Sequence, residues 1–171
     1  QNIMDLLDIN TDSKELVVAP KIGIPESTHP LYRDNQLDAL KEFKMAGGGN
    51  CDLGKAQGKK LEIRFAGGGT IKADSIAITR LDCEIAGSGT VSLSGKTEKM
   101  NIKSAGSSKI KAFGLETEEL TCKAAGSTHI EITANKAIST KIAGSGTIRY
   151  KGNPNIKEKS IIGSGSITKV D

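Results

Sequence analysis

Residues 61–93, LEIRFAGGGTIKADSIAITRLDCEIAGSGTVSL, decide the fold, because they contain the same short pattern twice. In each copy, alternating apolar and polar residues lead into an Ala-Gly motif, which begins at Ala66 and again at Ala86. A second alternating run follows each motif. Alternation with a period of two indicates a half-buried β-strand. Glycine between two such runs indicates a tight corner, because glycine adopts positive φ angles without strain. The stretch therefore predicts pairs of strands joined at corners.

The motif recurs along most of the chain at intervals of 18 to 20 residues. Its copies begin at Ala46, Ala66, Ala86, Ala105, Ala125 and Ala143, with a degenerate copy at Ile162. A fixed period of this length indicates a solenoid, since propeller blades are about twice as long and leucine-rich repeats carry an asparagine ladder that is absent from this sequence. We therefore predict an all-β fold, a single-stranded parallel β-helix (solenoid) of about six to seven coils with an irregular N-terminal cap.

The repeat also predicts which side chains are buried. Stacked coils place equivalent residues about 4.8 Å apart, so each position of the repeat forms a ladder along the solenoid. The apolar ladders expected inside contain Leu61, Ile63, Phe65, Leu81, Cys83, Ile85, Met100, Ile102, Leu120, Cys122, Ile138 and Ile142 before the corners, and Cys51, Ile71, Val91, Ile110, Ile130, Ile148 and Ile167 after them. Cys83 and Cys122 fall two coils apart on one ladder, which is beyond disulfide reach. We expect all three cysteines to be free and buried.

Composition excludes several classes of function. The chain has 24 basic and 20 acidic residues, and the two signs are interspersed, so no polybasic arm indicates a nucleic-acid partner. No apolar run approaches the roughly 18 residues of a membrane span. His29 and His129 have no cluster of ligands around them in register, so we predict no metal site. The Gly-x-Gly sequences are corners without a following helix, and we predict no cofactor.

One outward face carries the first candidate site. Glu62, Arg64, Asp82, Glu84 and Lys103 are expected to lie together on it, with charges that mostly alternate from coil to coil. Opposite charges on adjacent strands stabilise a sheet modestly, and Glu62 beside Asp82 is a like-charge exception. Carboxylates with basic neighbours are also what enzymes acting on polysaccharides use. This face is therefore either a simple charge ladder, a binding surface or a carbohydrate-active site, and we assign no catalytic residue.

A second candidate surface lies on the side opposite the motif. Six stretches there differ in length and charge, and we predict them to be corner loops, which in repeat proteins often form the binding face. They span residues 55–60, 74–80, 94–99, 113–119, 133–136 and 151–155. The first three are basic through Lys55, Lys59, Lys60, Arg80, Lys96 and Lys99. Of these, Lys59, Lys60, Arg80, Lys96 and Lys99 are the candidate contacts to an anionic glycan or lipid head group, unless they are only solvated.

The ends of the chain lack the complete motif. Residues 1–45 are interpreted as degenerate N-terminal strands and a cap, and residues 46–171 as the solenoid repeats, in one continuous domain 1–171. Pro20, Pro25 and Pro30 mark an irregular stretch within the cap. Residues 163–171 form a partial coil with little visible capping, and an open strand edge invites pairing with another chain, so a homo-oligomer is expected. Because the chain begins at Gln1, we also expect that a preceding segment was removed.

The closing stretch, residues 144–170, GSGTIRYKGNPNIKEKSIIGSGSITKV, resembles the GIN-type putative auto-transporter adhesin head domain of Bacteroidetes-type bacteria. Tyr150, Gly152 and Pro154 occupy the places of that family's closing pattern, and residues 2–18 are similar to its first hairpin. The resemblance implies a right-handed parallel β-helix and export from the cytoplasm, either to the periplasm or to the cell surface, with a lipid anchor in a segment outside this sequence as one route. It implies no catalytic residues.

Three hypotheses follow. The first is a non-enzymatic exported module that binds a surface glycan, a protein or a lipid, or assembles with itself, through a solenoid face. The second is a carbohydrate-active enzyme or carbohydrate-binding β-helix that uses Glu62, Asp82 and Glu84. The third is a lipid-binding protein, which a concave apolar pocket would favour.

Overall fold

The computed structural model describes residues 7–12, 15–20, 30–33 and 40–171, the side chains only in the last range. The described residues form strands and no helix. The strands are β1 (Leu7–Asp12), β2 (Glu15–Pro20), β3 (Pro30–Arg33), β4 (Glu42–Ala46), β5 (Gly49–Asp52), β6 (Ala56–Gly67), β7 (Gly69–Gly87), β8 (Thr90–Gly106), β9 (Lys109–Gly126), β10 (His129–Gly144), β11 (Thr147–Lys151), β12 (Asn155–Ile162) and β13 (Ser166–Lys169). The predicted all-β class is confirmed.

The strands pair as successive turns of one coil. β4, β6, β7, β8, β9, β10 and β12 form a run in which each strand pairs in parallel with the next. A second run begins with β3, β5 and β7 and ends with β11 and β13. Parallel pairing between consecutive strands of similar length needs a chain that winds in one direction. The result is a β-solenoid of about seven turns, as the repeat predicted.

The N-terminal end begins with a hairpin. β1 and β2 pair antiparallel, with Ile9 opposite Val18, and β2 then pairs in parallel with β4. The hairpin therefore lies against the first complete coil, where a cap was expected. Residues 1–6, 13–14, 21–29 and 34–39, which include Ile3, Leu6, Pro25 and His29, lie outside the described residues.

The interior consists of the predicted ladders. One ladder passes through Cys51, Ile71, Val91 and Ile110 and on to Ile148, and the first four are at most 2% exposed. Another passes from Ile63 to Cys83, Ile102 and Cys122. Its register places one intervening coil between the two cysteines, and all three cysteines of the chain are free and buried. Burial raises the pKa of each thiol to about 12, with Asp52 adding to the effect at Cys51 and Asp82 at Cys83.

The Gly corners are tight because adjacent coils approach closely there. Gly126 has φ of 107°, a left-handed conformation that other residues adopt only with strain. A Cβ atom on Gly126 would lie 2.5 Å from the carbonyl oxygen of Gly106 on the preceding coil. That oxygen accepts a hydrogen bond of 2.9 Å from the amide of Ser127. The second residue of the motif must therefore be glycine for both conformational and steric reasons.

The stretches opposite the motif are not loops in the middle coils, and that prediction was wrong. Residues 74–80, 94–99, 113–119 and 133–136 lie within the continuous strands β7 to β10, and much of 55–60 lies within β6. Ala56, Ile76, Gly95 and Leu115 share one register position there. The differences in length are absorbed by register shifts, for example between Ala73 and Ile76. These irregularities interrupt the period of two that identifies a strand in the sequence. Of the six stretches, only Lys55 in the first and residues 152–154 in the last lie outside strands.

The last coil differs from the coils before it. Lys159 lies at the register position of Thr140, which is fully buried, and Lys169 lies at that of Tyr150. Both lysines are exposed. Charged residues at inward positions of an edge strand hinder pairing with another strand. The C-terminal edge therefore has more protection than its glycine-rich sequence indicates.

Candidate functional site

The residues of the first candidate site lie together on one continuous surface. Arg64, Glu84 and Lys103 share one register position, and Glu62 lies opposite Asp82 on the neighbouring strand. We call the outward side chains of residues 60–66, 80–86, 99–105, 119–125 and 137–143 the ladder face. Each of these segments alternates, so the other side chains of the same strands form the core.

Ion pairs connect the acidic residues at the N-terminal half of the ladder face. Arg64 Nη2 lies 2.7 Å from Glu62 Oε1, and Arg64 Nε lies 3.8 Å from Glu84 Oε2. Lys60 Nζ bridges two coils, at 3.3 Å from Glu62 Oε2 and 3.5 Å from Asp82 Oδ2. The like-charge neighbours Glu62 and Asp82 are thus separated by a shared cation, which the register alone did not reveal.

These contacts keep both inner carboxylates ionised. The hydrogen bond from Arg64 holds the pKa of Glu62 below its usual value, and Lys60 adds to the effect. Partial burial acts to raise the pKa of Asp82, but hydrogen bonds from Asn101, at 2.6 Å, and from Arg80, at 3.1 Å, outweigh it, so that this pKa is also lowered. A general acid needs the opposite shift, because it must hold a proton near neutral pH. Glu62 and Asp82 therefore carry negative charge on this face at neutral pH.

The aromatic side chain best placed to stack on a sugar is already covered. Phe113 lies beneath two cations, with Arg149 Cζ 5.8 Å and Lys151 Nζ 5.4 Å from the centre of its ring. Cations over an aromatic face occupy the surface on which a sugar ring would stack. Tyr150 is partly buried against the core. Neither residue provides an open platform.

The predicted corner lysines are mostly neutralised. Lys60, Arg80 and Lys99 share one register position at the start of the ladder face, so they do not form a separate surface. Lys99 Nζ lies 3.6 Å from Glu119, and Lys96 Nζ lies 3.2 Å from Glu116. Lys59 is exposed on the same strand as Lys60. The basic patch expected from the sequence is therefore largely an array of ion pairs.

Charged side chains also pair with one another around a hollow of about 470 Å³ beside Lys96. It is lined by Thr97, Glu98, Thr117 and Glu118, among others, on the side opposite the motif. Glu118 accepts a hydrogen bond of 2.8 Å from Lys136 across neighbouring coils. Because its charges are largely paired within the protein, this hollow has little net attraction for a charged ligand.

The C-terminal half of the ladder face contains a different feature, a shallow apolar groove of about 460 Å³. Its floor contains Ala86, Ala105, Ala125 and Ala143, which are all exposed. Lys103, Lys123 and Lys141 line one side together with Glu84, which shares their register position, and Ile162 lies at one end. We call this feature the lysine groove. Of its lining residues, the sequence analysis had placed only Glu84 and Lys103 in the candidate site.

The lysine row of the groove is only partly neutralised. Lys103, Lys123 and Lys141 occupy one register position on three successive coils. Lys141 Nζ lies 3.0 Å from Glu158. Among residues 40–171, no carboxylate lies within ion-pair distance of Lys103 or Lys123. The ladder face therefore changes along the solenoid, from paired charges at one half to apolar surface with unneutralised cations at the other.

Two further features bear on the function. In the part of the chain that the structure describes, no three His, Cys, Asp or Glu side chains lie close enough together to hold a metal ion. The described residues also contain no helix long and apolar enough to cross a membrane. The His129 imidazole contacts only one carboxylate in the described part, that of Glu131 at 3.4 Å.

Comparison with known proteins relates this chain to putative adhesin domains of bacteria. A family model described as "Putative auto-transporter adhesin, head GIN domain" matches residues 1–154. A putative adhesin from Bacteroides fragilis has a similar structure, with a TM-score of 0.80 and 22% identity over 99% of this chain and 78% of that one. A putative lipid binding protein from Parabacteroides distasonis has a TM-score of 0.76 and 29% identity over 99% of this chain and 81% of that one. No curated protein matches the sequence.

Proposed function

Because this chain belongs to the family of putative auto-transporter adhesin head domains of the GIN type, we propose that it is a non-enzymatic, exported binding module. We place it at the cell surface or in the periplasm, and we propose that it binds its ligand through the ladder face. Its partner is a surface glycan, a protein or a lipid.

One observation carries this proposal. Lys103 and Lys123 remain without a carboxylate partner in the described chain, on a face where Glu62 and Asp82 are held in ion pairs. Two adjacent like charges on neighbouring strands are unfavourable. A ligand that brings negative charge to this part of the face would remove that cost. The positive charges of Lys103 and Lys123 therefore favour binding of an anionic ligand at this part of the face.

The carbohydrate-active alternative receives less support. Its candidate residues Glu62, Asp82 and Glu84 lie on one face, but they form ion pairs with Lys60, Arg64 and Arg80. Turnover assays on acidic polysaccharides test it directly. We expect no product, and activity that disappears in Glu84→Gln would overturn the non-enzymatic proposal.

Binding through the ladder face is tested with arrays of glycans, lipids and proteins. The variant Lys103→Glu/Lys123→Glu reverses the charge of the face, and Lys109→Glu/Lys111→Glu makes the same change in net charge on the strand after a corner. We expect wild type and the control to bind the same array feature and the ladder-face variant to lose it. Equal binding by all three proteins, or binding by none, would contradict the proposal.

Export is tested by fractionating cells that produce the native gene product and by digesting intact cells with protease. We expect the protein in the envelope or outside the cell. Recovery only in the cytoplasmic fraction would contradict the proposed location.

Lipid binding is favoured among the ligand classes by two observations. The lysine groove is concave and apolar, which is the feature that a lipid ligand needs. The Parabacteroides distasonis protein, whose name includes lipid binding, is 29% identical to this chain. These observations support a ligand with an apolar part.

Self-association remains a prediction. Lys159 and Lys169 make the C-terminal edge unfavourable for strand pairing, so the flat faces are the surfaces we propose for it. Light scattering over a range of concentrations tests this, and a mass that stays that of one chain at high concentration would contradict it.

A further inference from the structure

We infer that the lysine groove binds an anionic amphiphile, with one extended acyl chain along the alanine floor and its anionic group between Lys103 and Lys123. This inference rests on the proposed function and names the ligand class of the same face. It combines three observations: the size of the groove, the side chain that closes it, and the charge along its side.

The dimensions of the groove suit one acyl chain. From Ala86 to Ile162 the floor crosses four steps between adjacent coils, which is about 19 Å at the usual strand spacing. Its volume of about 460 Å³ lies within the range of small-molecule sites. The exposed methyl groups of the floor present apolar surface, and the polar side chains Glu84, Lys103, Lys123, Lys141 and Ser160 also line the groove. Ser104, which also lines the groove, is buried and already hydrogen-bonded to Ser108 and Thr128.

The last coil carries a larger side chain at the position of the floor alanines. Ile162 pairs with Ala143 in register and occupies the same place before a positive-φ glycine, Gly163. Its side chain is accommodated without burial, since Ile162 is 73% exposed. A bulky residue at this position in the preceding coils would fill the groove. Alanine keeps the floor open, and isoleucine closes it at the last coil.

The side of the groove attracts an anion. Lys103 and Lys123 belong to adjacent coils, whose strands lie about 4.8 Å apart, and no carboxylate of residues 40–171 lies within ion-pair distance of either. Glu84 precedes Lys103 on the same ladder and lies 3.8 Å from Arg64. The third lysine of the row is paired with Glu158. The aliphatic stems of lysine also cover apolar surface while their charges stay in water. The row can therefore contact an acyl chain and its anionic group together.

The test uses the full chain and cis-parinarate, a fluorescent long-chain fatty acid, at concentrations below micelle formation. We expect saturable binding that palmitate displaces. Butyrate, which has the carboxylate without the long chain, and hexadecanol, which has the chain without the charge, should displace it at least about tenfold less well.

Two variants locate the site. Ala125→Glu places a bulky anion in the middle of the floor, and Ala66→Glu makes the same change at the equivalent position outside the groove. We expect Ala125→Glu to weaken parinarate binding about tenfold or more and Ala66→Glu to leave it nearly unchanged. Lys103→Glu/Lys123→Glu should weaken it similarly. Circular dichroism of each variant establishes that the fold is retained, since the changed positions are exposed.

The outcomes separate this inference from the proposed function. Absence of parinarate binding, or binding that is equally strong in Ala125→Glu, overturns the inference. If an array ligand is nevertheless lost in Lys103→Glu/Lys123→Glu, the proposed function stands with a different ligand. Cosedimentation with phosphatidylglycerol vesicles but no binding of parinarate would indicate docking on a lipid surface and would also overturn a single-chain site.

Discussion

The corner glycines permit a quantitative test of the fold in Gly126→Ala. The new Cβ would lie 2.5 Å from the carbonyl oxygen of Gly106, and φ at this residue is 107°. Placing an L-residue in the left-handed region costs about 1–2 kcal/mol. Displacing the Gly106 carbonyl weakens its hydrogen bond with the Ser127 amide, which is worth about 1 kcal/mol net. Lower entropy of the unfolded chain offsets roughly 0.4–1 kcal/mol of this.

The net loss should therefore be about 2 kcal/mol in the free energy of unfolding. With a urea dependence of about 1–3 kcal/mol per molar, the midpoint of unfolding would fall by roughly 1 M. Circular dichroism in increasing urea measures that midpoint. Gly68→Ala is the matched control, because a Cβ there meets nothing within 4 Å and the residue does not have a positive φ. Serine already stands at the equivalent place in later coils, for example at Ser88.

We expect the free energy of unfolding of Gly68→Ala to lie within about 0.5 kcal/mol of the wild-type value, or slightly above it. Equal midpoints for the two variants would refute the argument that coil stacking requires glycine at the second motif position. Amide hydrogen exchange locates the effect, since the loss of protection in Gly126→Ala should be greatest at Ser127.

Three further predictions concern other parts of the molecule. The cysteines should not react with a thiol reagent at neutral pH until the protein unfolds, because burial raises the pKa of each to about 12; reaction of folded protein would contradict this. Because the pKa values of Glu62 and Asp82 are lowered by folding, their contribution to stability is present above the unfolded values and should be lost as pH falls through the folded ones, below about pH 4. Urea midpoints from neutral pH down to about pH 3 should therefore fall less in Glu62→Gln, and parallel decreases would contradict the ion-pair assignment. Lys159→Ile/Lys169→Ile should increase the mass measured by light scattering, because it removes the charges that protect the C-terminal edge, and an unchanged mass would show that they do not protect it.

The interior ladders and the corners could be predicted because their signals are local and repeated. Ile71, Val91 and Ile110 stand at the same distance after each motif, so one alignment places them all. The stretches opposite the motif could not be placed in this way. Ser75 has a positive φ of 62°, and register shifts beside it change the spacing of the following apolar residues. Ile76 and Ile78 are both buried and alternate with exposed residues, but the register shift between Ala73 and Ile76 separates this alternation from that of the preceding residues.

The candidate site was partly predictable. The register gave the ladder that joins Arg64, Glu84 and Lys103, but it did not give the diagonal contact by which Lys60 reaches Asp82 on the next coil. A long side chain can reach a partner on a neighbouring ladder, and the distance between the two charged groups cannot be read from their spacing in the sequence. The sequence analysis missed the groove because it interpreted each Ala-Gly motif only as a corner between strands. Ile162, which stands where the earlier motif copies have alanine, was the signal in the sequence that the exposed surface changes at this position.

The sequence by itself determined the coil, its period, the residues inside it and the glycine at each corner. These follow from the period of two within a strand and the repeat of 18 to 20 residues between coils, both of which are properties of the linear chain. Only the tertiary structure decided which charges neutralise one another and which surface remains open. Lys123 looks like any exposed lysine in the sequence. Stacking places it between two other lysines and beside exposed methyl groups, because residues about 20 positions apart become neighbours only when the coils are in register.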